Sequence, residues 1–316
     1  MNTLVELLGI DLPIIQGGMG NISNAKLSSS ISNAGGLGTI GVGTLTPDDV
    51  EKMINEIQGL TNKPFAVNLP IKVTPFIHEM VELILKYKVP IVSLSAGNPA
   101  PFISKLHEHG VKVMVVIGAV NQAVKAEQAG ADVIIAEGYE AAGINSPFET
   151  TTLTLIPQVV DAVKVPVIAA GGIADGRGLL AALALGAQGV QMGTRFVATQ
   201  EAPFSKEYKN KIINANDHNT LIIGRSHGQI RRVLEGDYAS NLLKNEGEYS
   251  NQEFAESTSE KHHLLGAIEG DDKKGFMNSG QIAGLISNEP TISELFEEIM
   301  QDCRKKLKNV VNQINL

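Results

Sequence analysis

The stretch Val167-Ile-Ala-Ala-Gly-Gly-Ile-Ala-Asp-Gly-Arg-Gly-Leu-Leu-Ala-Ala-Leu-Ala-Leu-Gly-Ala-Gln-Gly-Val-Gln-Met-Gly-Thr-Arg195 decides the fold. It reads as a strand, a glycine turn, a helix, a tight turn, a second strand and another glycine turn. Short apolar runs bounded by glycine suit strands covered on both faces, as in parallel sheets. At Gly171-Gly172 and Gly193-Thr194 the backbone can approach a ligand closely, because glycine has no Cβ. Two such turns after neighbouring strands form a cradle for a phosphate.

Outward from that stretch, the same unit recurs. Candidate strands are Ile14–Gln16, Leu37–Gly41, Phe65–Asn68, Ile91–Ser95, Lys112–Val116, Val133–Glu137, Val167–Ala170 and Gly189–Gly193. Helical patterns lie between them, among them Thr46–Leu60, which opens with a capping hydroxyl, a proline and two acids. Strand alternating with helix implies parallel pairing through crossover helices. Eight such strands point to an α/β fold, a closed (β/α)8 TIM barrel, over an open doubly wound sheet. The alternation stops after Phe196. The expected organisation is a barrel over 1–198, a smaller, mostly helical cap-like insertion over 199–274, and C-terminal helices over 275–316 that return to the barrel.

Bulk properties narrow the function. The 316 residues are 43% hydrophobic, enough for a large core. A net charge of −8 argues against nonspecific nucleic-acid binding and against an anionic membrane surface. The single cysteine, Cys303, excludes an intrachain disulfide and reads as an unreactive helix residue. Residues 1–11 show no secretory pattern and no apolar run is long enough to span a bilayer, so a cytoplasmic location is the expectation.

In a barrel of this kind the chemistry lies at the C-terminal strand ends. Those ends read Gln16-Gly17-Gly18-Met19, Gly41-Val42-Gly43, Asn68, Ser95-Ala96-Gly97-Asn98, Glu137-Gly138, Gly171-Gly172 and Gly193-Thr194. Small and uncharged groups dominate, which suits a large, flat, polar-edged ligand. Glu137 is the one carboxylate on the rim, so no metal site is expected. No Walker pattern and no dinucleotide-binding GxGxxG fingerprint occurs in a suitable context. The phosphate therefore belongs to a flavin mononucleotide or a phosphorylated sugar rather than a nucleoside triphosphate.

Several spaced motifs carry a family resemblance: Ile14-Ile-Gln-Gly-Gly-Met19, Asn33-Ala-Gly-Gly-Leu-Gly38, Pro64-Phe-Ala-Val-Asn68, Ala136-Glu-Gly-Tyr-Glu-Ala141, Pro166-Val-Ile-Ala-Ala-Gly-Gly-Ile-Ala-Asp-Gly176 and Gln191-Met-Gly-Thr-Arg-Phe196. Over residues 3–200 the chain resembles the nitronate monooxygenase (2-nitropropane dioxygenase) family, which includes flavin-dependent enoyl-acyl-carrier-protein reductases. The likeness resumes weakly at Gly275–Ile286. The resemblance implies an FMN-binding barrel in which Gly18, Met19 and Asn68 contact the isoalloxazine ring. Gly171, Gly172, Gly193 and Thr194 would hold the phosphate, and Glu137 with Gly138 would lie on the ribityl side. Gly17 and Gly143 are grouped with these cofactor-binding residues, while Gln16 and Ser95 are candidates by position only.

One departure bears on the chemistry. Most of the resembling family reads Glu-Ala-Gly-Gly-His after the sixth strand, and its histidine is the presumed catalytic group. Here the same place reads Glu140-Ala-Ala-Gly-Ile-Asn145, with Ile144 at the histidine position. The catalytic group is therefore unassigned; Asn145 and His227 are the candidates, with Glu140 and Glu149 on the same loop. Oxidation of an already deprotonated nitronate could survive without a base, whereas proton abstraction from a neutral nitroalkane could not.

The expected function is FMN-dependent oxidation of alkyl nitronates with O2. The alternative is reduction of an enoyl-acyl-carrier protein with NADH or NADPH as reductant. A flavin-binding protein with altered or lost catalysis and a non-redox barrel acting on a phosphorylated metabolite are the remaining readings. The substrate would be a small molecule or an acyl thioester, and a homodimer is the expectation from similar enzymes.

Overall fold

The structure, a computed structural model, describes residues 3–314. The outermost residues of the expected 1–198 and 275–316 segments, and the first two of the N-terminal reading, lie outside the described residues.

The strands in chain order are β1 (Ile14–Gln16), β2 (Gly38–Gly41), β3 (Phe65–Pro70), β4 (Ile91–Ser95), β5 (Lys112–Ile117), β6 (Val133–Glu137), β7 (Gly143–Ile144), β8 (Val167–Ala170), β9 (Gly189–Met192), β10 (Thr220–Ile223) and β11 (Arg231–Leu234). Eight of them pair in parallel in the order β1-β9-β8-β6-β5-β4-β3-β2. The ring closes where Ile15 bridges Leu37. There the Gln16 N–H donates to the Leu37 carbonyl at 2.9 Å, and the Leu37 N–H to the Ile14 carbonyl at 3.0 Å. The chain is a TIM barrel. All eight barrel strands fall where the apolar runs place them, with ends shifted by no more than two residues.

Local signals are used as the sequence offers them. The Thr46 hydroxyl accepts the Asp49 N–H at 3.3 Å and starts the helix Pro47–Leu60. Thr291 and Glu294 form a capping box that opens the helix Ile292–Gln313.

Two apolar layers stabilise the barrel. Inside the ring, Ile15, Leu37, Ala66, Ile91, Met114, Val133, Ile135 and Ile168 pack on Leu4, Leu8 and Ile10, so the first helix (Thr3–Leu8) plugs one end of the barrel. Outside it, Ile54, Ile84, Leu106, Ile156 and Leu179 bury the crossover helices against the other faces of the strands. The final helix reaches the barrel through Gly176, where a Cβ would stand 2.3 Å from the Cys303 backbone nitrogen. Burial pushes the Cys303 thiol up, away from the thiolate form.

The stretch after Phe196 holds more helix than strand, and it also carries a hairpin that the sequence reading did not include. Helices Lys206–Ile213, Asp237–Lys244, Asn251–Ser257 and Glu260–Ala267 are present, but β10 and β11 form an antiparallel hairpin. β11 also pairs with β7, so the insertion adds two strands to the loop after the sixth barrel strand. The hairpin forms because Ile223 and Val233 bury against Ala239, Leu242, Phe254 and Phe276. Among the described residues no helix is long and apolar enough to cross a membrane, and no group of His, Cys, Asp and Glu could hold a metal.

Truncating the plug is costly. Leu4→Ala, at a fully buried position, should lower stability by about 2–5 kcal/mol, read as a fall in denaturant midpoint at unchanged m-value.

Candidate cofactor and active site

The turns expected to cradle a phosphate follow β8 and β9. Gly171 and Gly172 have φ of +91° and +72°, a left-handed backbone that favours glycine. Among the described residues, the N–H groups of Gly171, Gly172, Gly193 and Thr194 have no acceptor. Unspent amides at a turn are what an anionic ligand requires. The Thr194 hydroxyl accepts the Gly280 N–H at 2.9 Å, which leaves its own proton to donate. At Gly193 a Cβ would meet nothing within 4 Å, so the space beside it is open.

The cradle is locked from below. Asp175 caps the helix Gly176–Ala184 by accepting from Arg177 at 2.9 Å and Gly178 at 3.1 Å, which ends the turn at a fixed place. The Thr152 hydroxyl donates to the Gly171 carbonyl at 2.9 Å. Glu140 accepts the Thr152 N–H at 2.8 Å, so this carboxylate serves as a helix cap and is not free to act as a base.

Across the mouth stands an uncharged wall. A Cβ on Gly18 would lie 2.6 Å from the Asn68 side chain, so the two pack without a gap. The Asn68 amide donates towards the Ser93 carbonyl at 3.2 Å and Ser95 Oγ at 3.2 Å, which leaves Oδ1 without a donor. Gln16 is fully buried; its Oε1 accepts the Thr39 N–H at 3.0 Å while its Nε2 is unpartnered. The Gly17 N–H is spent on the Met192 carbonyl at 2.9 Å, and the Met19 N–H on Ser23 Oγ at 3.3 Å. These two therefore shape the wall and add no free donor.

Between cradle and wall sits Glu137, at the end of β6. Its carboxyl has no hydrogen-bond partner among the described residues, and burial pushes its pKa up to about 7. A carboxyl of that kind can hold or give up a proton near neutrality.

The remaining candidates are placed differently. Gly143 (φ +72°) sits in β7, where a Cβ would lie 3.7 Å from Asn278, and takes no part in the phosphate cradle. Ile144 is 55% exposed at the mouth. Asn145 is buried and spends its amide inside its own loop, on Ala141 O at 3.1 Å and Gly143 O at 3.0 Å. Glu149 is paired with Arg225 at 2.9 Å. His227 bonds to Asn251 Oδ1 at 2.8 Å and the Glu246 carbonyl at 2.9 Å, and stacks 4.4 Å from Phe254. These hydrogen bonds raise its pKa above the ordinary value and hold the ring within the insertion. Neither Asn145 nor His227 is free for catalysis.

Sequence reasoning missed a second polar group that does reach the mouth: Arg231, Glu260, His263 and Asn278. Asn278 bonds to His263 Nε2 at 3.2 Å and to Arg231 at 3.4 Å. Glu260 lies within 3.3 Å of where a Gly20 Cβ would be. These residues are scattered over the insertion and the return segment, and only the hairpin brings them together.

The chain is a TIM barrel whose seventh and eighth strands end in turns with free amides, facing an amide-lined wall across the mouth. The nitronate monooxygenase family profile matches residues 1–76 and 71–302, and the chain belongs to that family and is an oxidoreductase. It is similar to FabK from Thermotoga maritima, at 39% identity and a TM-score of 0.95, covering 99% of each chain. It is 33% identical to (3aS,4S,5R,7aS)-5-hydroxy-7a-methyl-1-oxo-octahydro-1H-indene-4-carboxyl-CoA dehydrogenase of Rhodococcus jostii, over 96% of each chain. A probable nitronate monooxygenase of Staphylococcus aureus is 31% identical over 99% of this chain and 97% of its own.

The raised pKa of His227 makes its contribution to stability depend on pH. Its hydrogen bonds to Asn251 and Glu246 raise its pKa above the ordinary 6.5. Its stabilising contribution is complete below the unfolded value and fades as pH rises through the folded one. The melting-temperature gap between wild type and His227→Ala should therefore narrow from pH 5.5 to pH 8.5, with cofactor content unchanged.

Proposed function

We propose that the chain is an FMN-dependent oxidoreductase that oxidises alkyl nitronates with O2. The observation that carries the flavin assignment is the set of four unspent N–H groups and the Thr194 hydroxyl, facing Asn68 and Gly18 across the mouth. Gly171, Gly172, Gly193 and Thr194 would hold the phosphate, Glu137 would lie by the ribityl chain, and Gly18, Met19 and Asn68 would flank the ring. Bound flavin would supply the two-electron chemistry. The chain's own part is to anchor, orient and exclude water. Ile144 at the mouth offers no proton acceptor, which suits a substrate that arrives already deprotonated.

The 39% identity to FabK favours a second reading, flavin-dependent reduction of an enoyl-acyl-carrier protein with NADH or NADPH. In either case the substrate is a small molecule or an acyl thioester. A homodimer in the cytoplasm completes the proposal.

The absorption spectrum of the purified protein and anaerobic mixing test it. A yellow protein bleached by propyl-1-nitronate but not by NADH or NADPH supports the monooxygenase. Bleaching by a pyridine nucleotide moves the assignment to the reductase, and a colourless protein that takes up no FMN contradicts both. Gly193→Leu should weaken FMN affinity by at least tenfold. Flavin-free stability should change little, because φ of −121° is open to other residues and the Cβ meets open space.

A further inference from the structure

Arg231 is 9% exposed, yet no carboxylate lies within ion-pair distance of it among the described residues. Its Nη1 approaches Asn278 Oδ1 at 3.4 Å, and its guanidinium stands 5.0 Å from the Phe276 ring centroid. The other side-chain N–H groups have no acceptor in the described chain. These donors are not sealed from solvent, and Glu260 attracts the guanidinium without pairing with it, so an oxyanion that reaches them meets a cation with most of its donors unspent.

The neighbours fix the polarity of the site. An arginine can only donate, so the oxygen of Asn278 faces Arg231 and its nitrogen faces His263 Nε2 at 3.2 Å. That ring nitrogen must then accept, which places the histidine proton on Nδ1, facing Glu260 Oε2 at 3.4 Å. His263 is further held by stacking 5.4 Å from Phe276. The relay Glu260–His263–Asn278 therefore uses one amide hydrogen of Asn278 and leaves the other available.

Position ties the group to the mouth. Arg231 is paired in register with Ile144 across β11 and β7. A Gly143 Cβ would lie 3.7 Å from Asn278 Nδ2, and a Gly20 Cβ 3.3 Å from Glu260. The group thus spans the loops after the first and sixth strands, where Ile144 contributes nothing polar. Ile144 and Phe148, 55% and 61% exposed, give the same rim an apolar lip.

We infer that Arg231 and Asn278 form an oxyanion site for the reacting end of the substrate, with the apolar lip taking its hydrocarbon part. The ligand class is a planar group with negative charge on oxygen: a nitronate in its ground state, or the enolate of a thioester as it forms. The assignment to substrate rests on the flavin reading above, but the anion site does not. Charge-assisted hydrogen bonds are worth about 1.5–3 kcal/mol each, so losing the guanidinium should cost at least about tenfold in anion affinity.

Calorimetric titration with sodium nitrate, a planar oxyanion, tests the site in protein with or without flavin. Wild type should bind nitrate, and Arg231→Met should bind it at least tenfold more weakly. Asn278→Asp, which gives Arg231 an internal partner, should abolish binding and serves as the deciding variant if Arg231→Met does not fold. A wild type that does not bind nitrate, or unchanged affinity in the folded variants, overturns the proposal. Nitrate binding through Arg231 in a protein that takes up no flavin sinks the functional reading and leaves the site standing. Two kinetic arms separate the sources: Arg231→Met raises KM for propyl-1-nitronate if the substrate is a nitronate, and lowers kcat with crotonyl-CoA and NADPH if it is a thioester.

Discussion

The site depends on one small knot, the side chain of Thr152 wedged between two loops. Its hydroxyl donates to the Gly171 carbonyl at 2.9 Å and its N–H is held by Glu140 at 2.8 Å, so the loops after the sixth and seventh barrel strands are tied together. The knot works only because its neighbours lack side chains. A Cβ on Gly138 would lie 2.1 Å from Thr152 Oγ1, and one on Gly171 would lie 2.9 Å from the Gly138 carbonyl. Glycine in this stretch is set by close packing first, and the unspent amides follow from the backbone shape that packing imposes.

The return of the chain over residues 275–286 links that knot to the mouth. The Gly280 N–H donates to the Thr194 hydroxyl at 2.9 Å, and the Gln281 N–H to the Glu140 carbonyl at 3.0 Å. Two residues earlier, Val233 bridges Asn278, and the Tyr208 hydroxyl donates to the Asn278 carbonyl. One short segment thus touches the glycine turn after β9, the helix cap and the polar group over the mouth. The insertion is an integral wall of the site, and its hairpin carries Arg231 to the loop that holds Ile144.

The barrel was legible because each strand is a short run of apolar residues closed by glycine or a small polar residue, a local signal that tertiary context reinforces. The two glycine turns were legible for the same reason: Gly171-Gly172 and Gly193-Thr194 lie within a few residues of the strands they end. The hairpin was not. Thr220–Ile223 and Arg231–Leu234 are four residues each, and Arg231-Arg232 hides the alternation that marks a half-buried strand. His227 lies in Gly224-Arg-Ser-His-Gly228, a sequence that reads as a loop, but both ring nitrogens are spent within the insertion. Conversely, His263 sits mid-helix with no motif around it. Its role depends on Asn278, fifteen residues away in sequence, and on Arg231 in a different element. Contacts of that range leave no periodic trace.

On the proposed flavin reading, a phosphate anchors the cofactor and the ring wall opposite completes the site. The direct measurement is the affinity of flavin-free protein for FMN against riboflavin, which differs only in lacking the phosphate. With several amide and hydroxyl donors converging on that group, FMN should bind at least about a hundredfold more tightly, since each charge-assisted bond contributes about 1.5–3 kcal/mol. Equal affinity for the two would contradict the account, because the turns after β8 and β9 would then hold nothing.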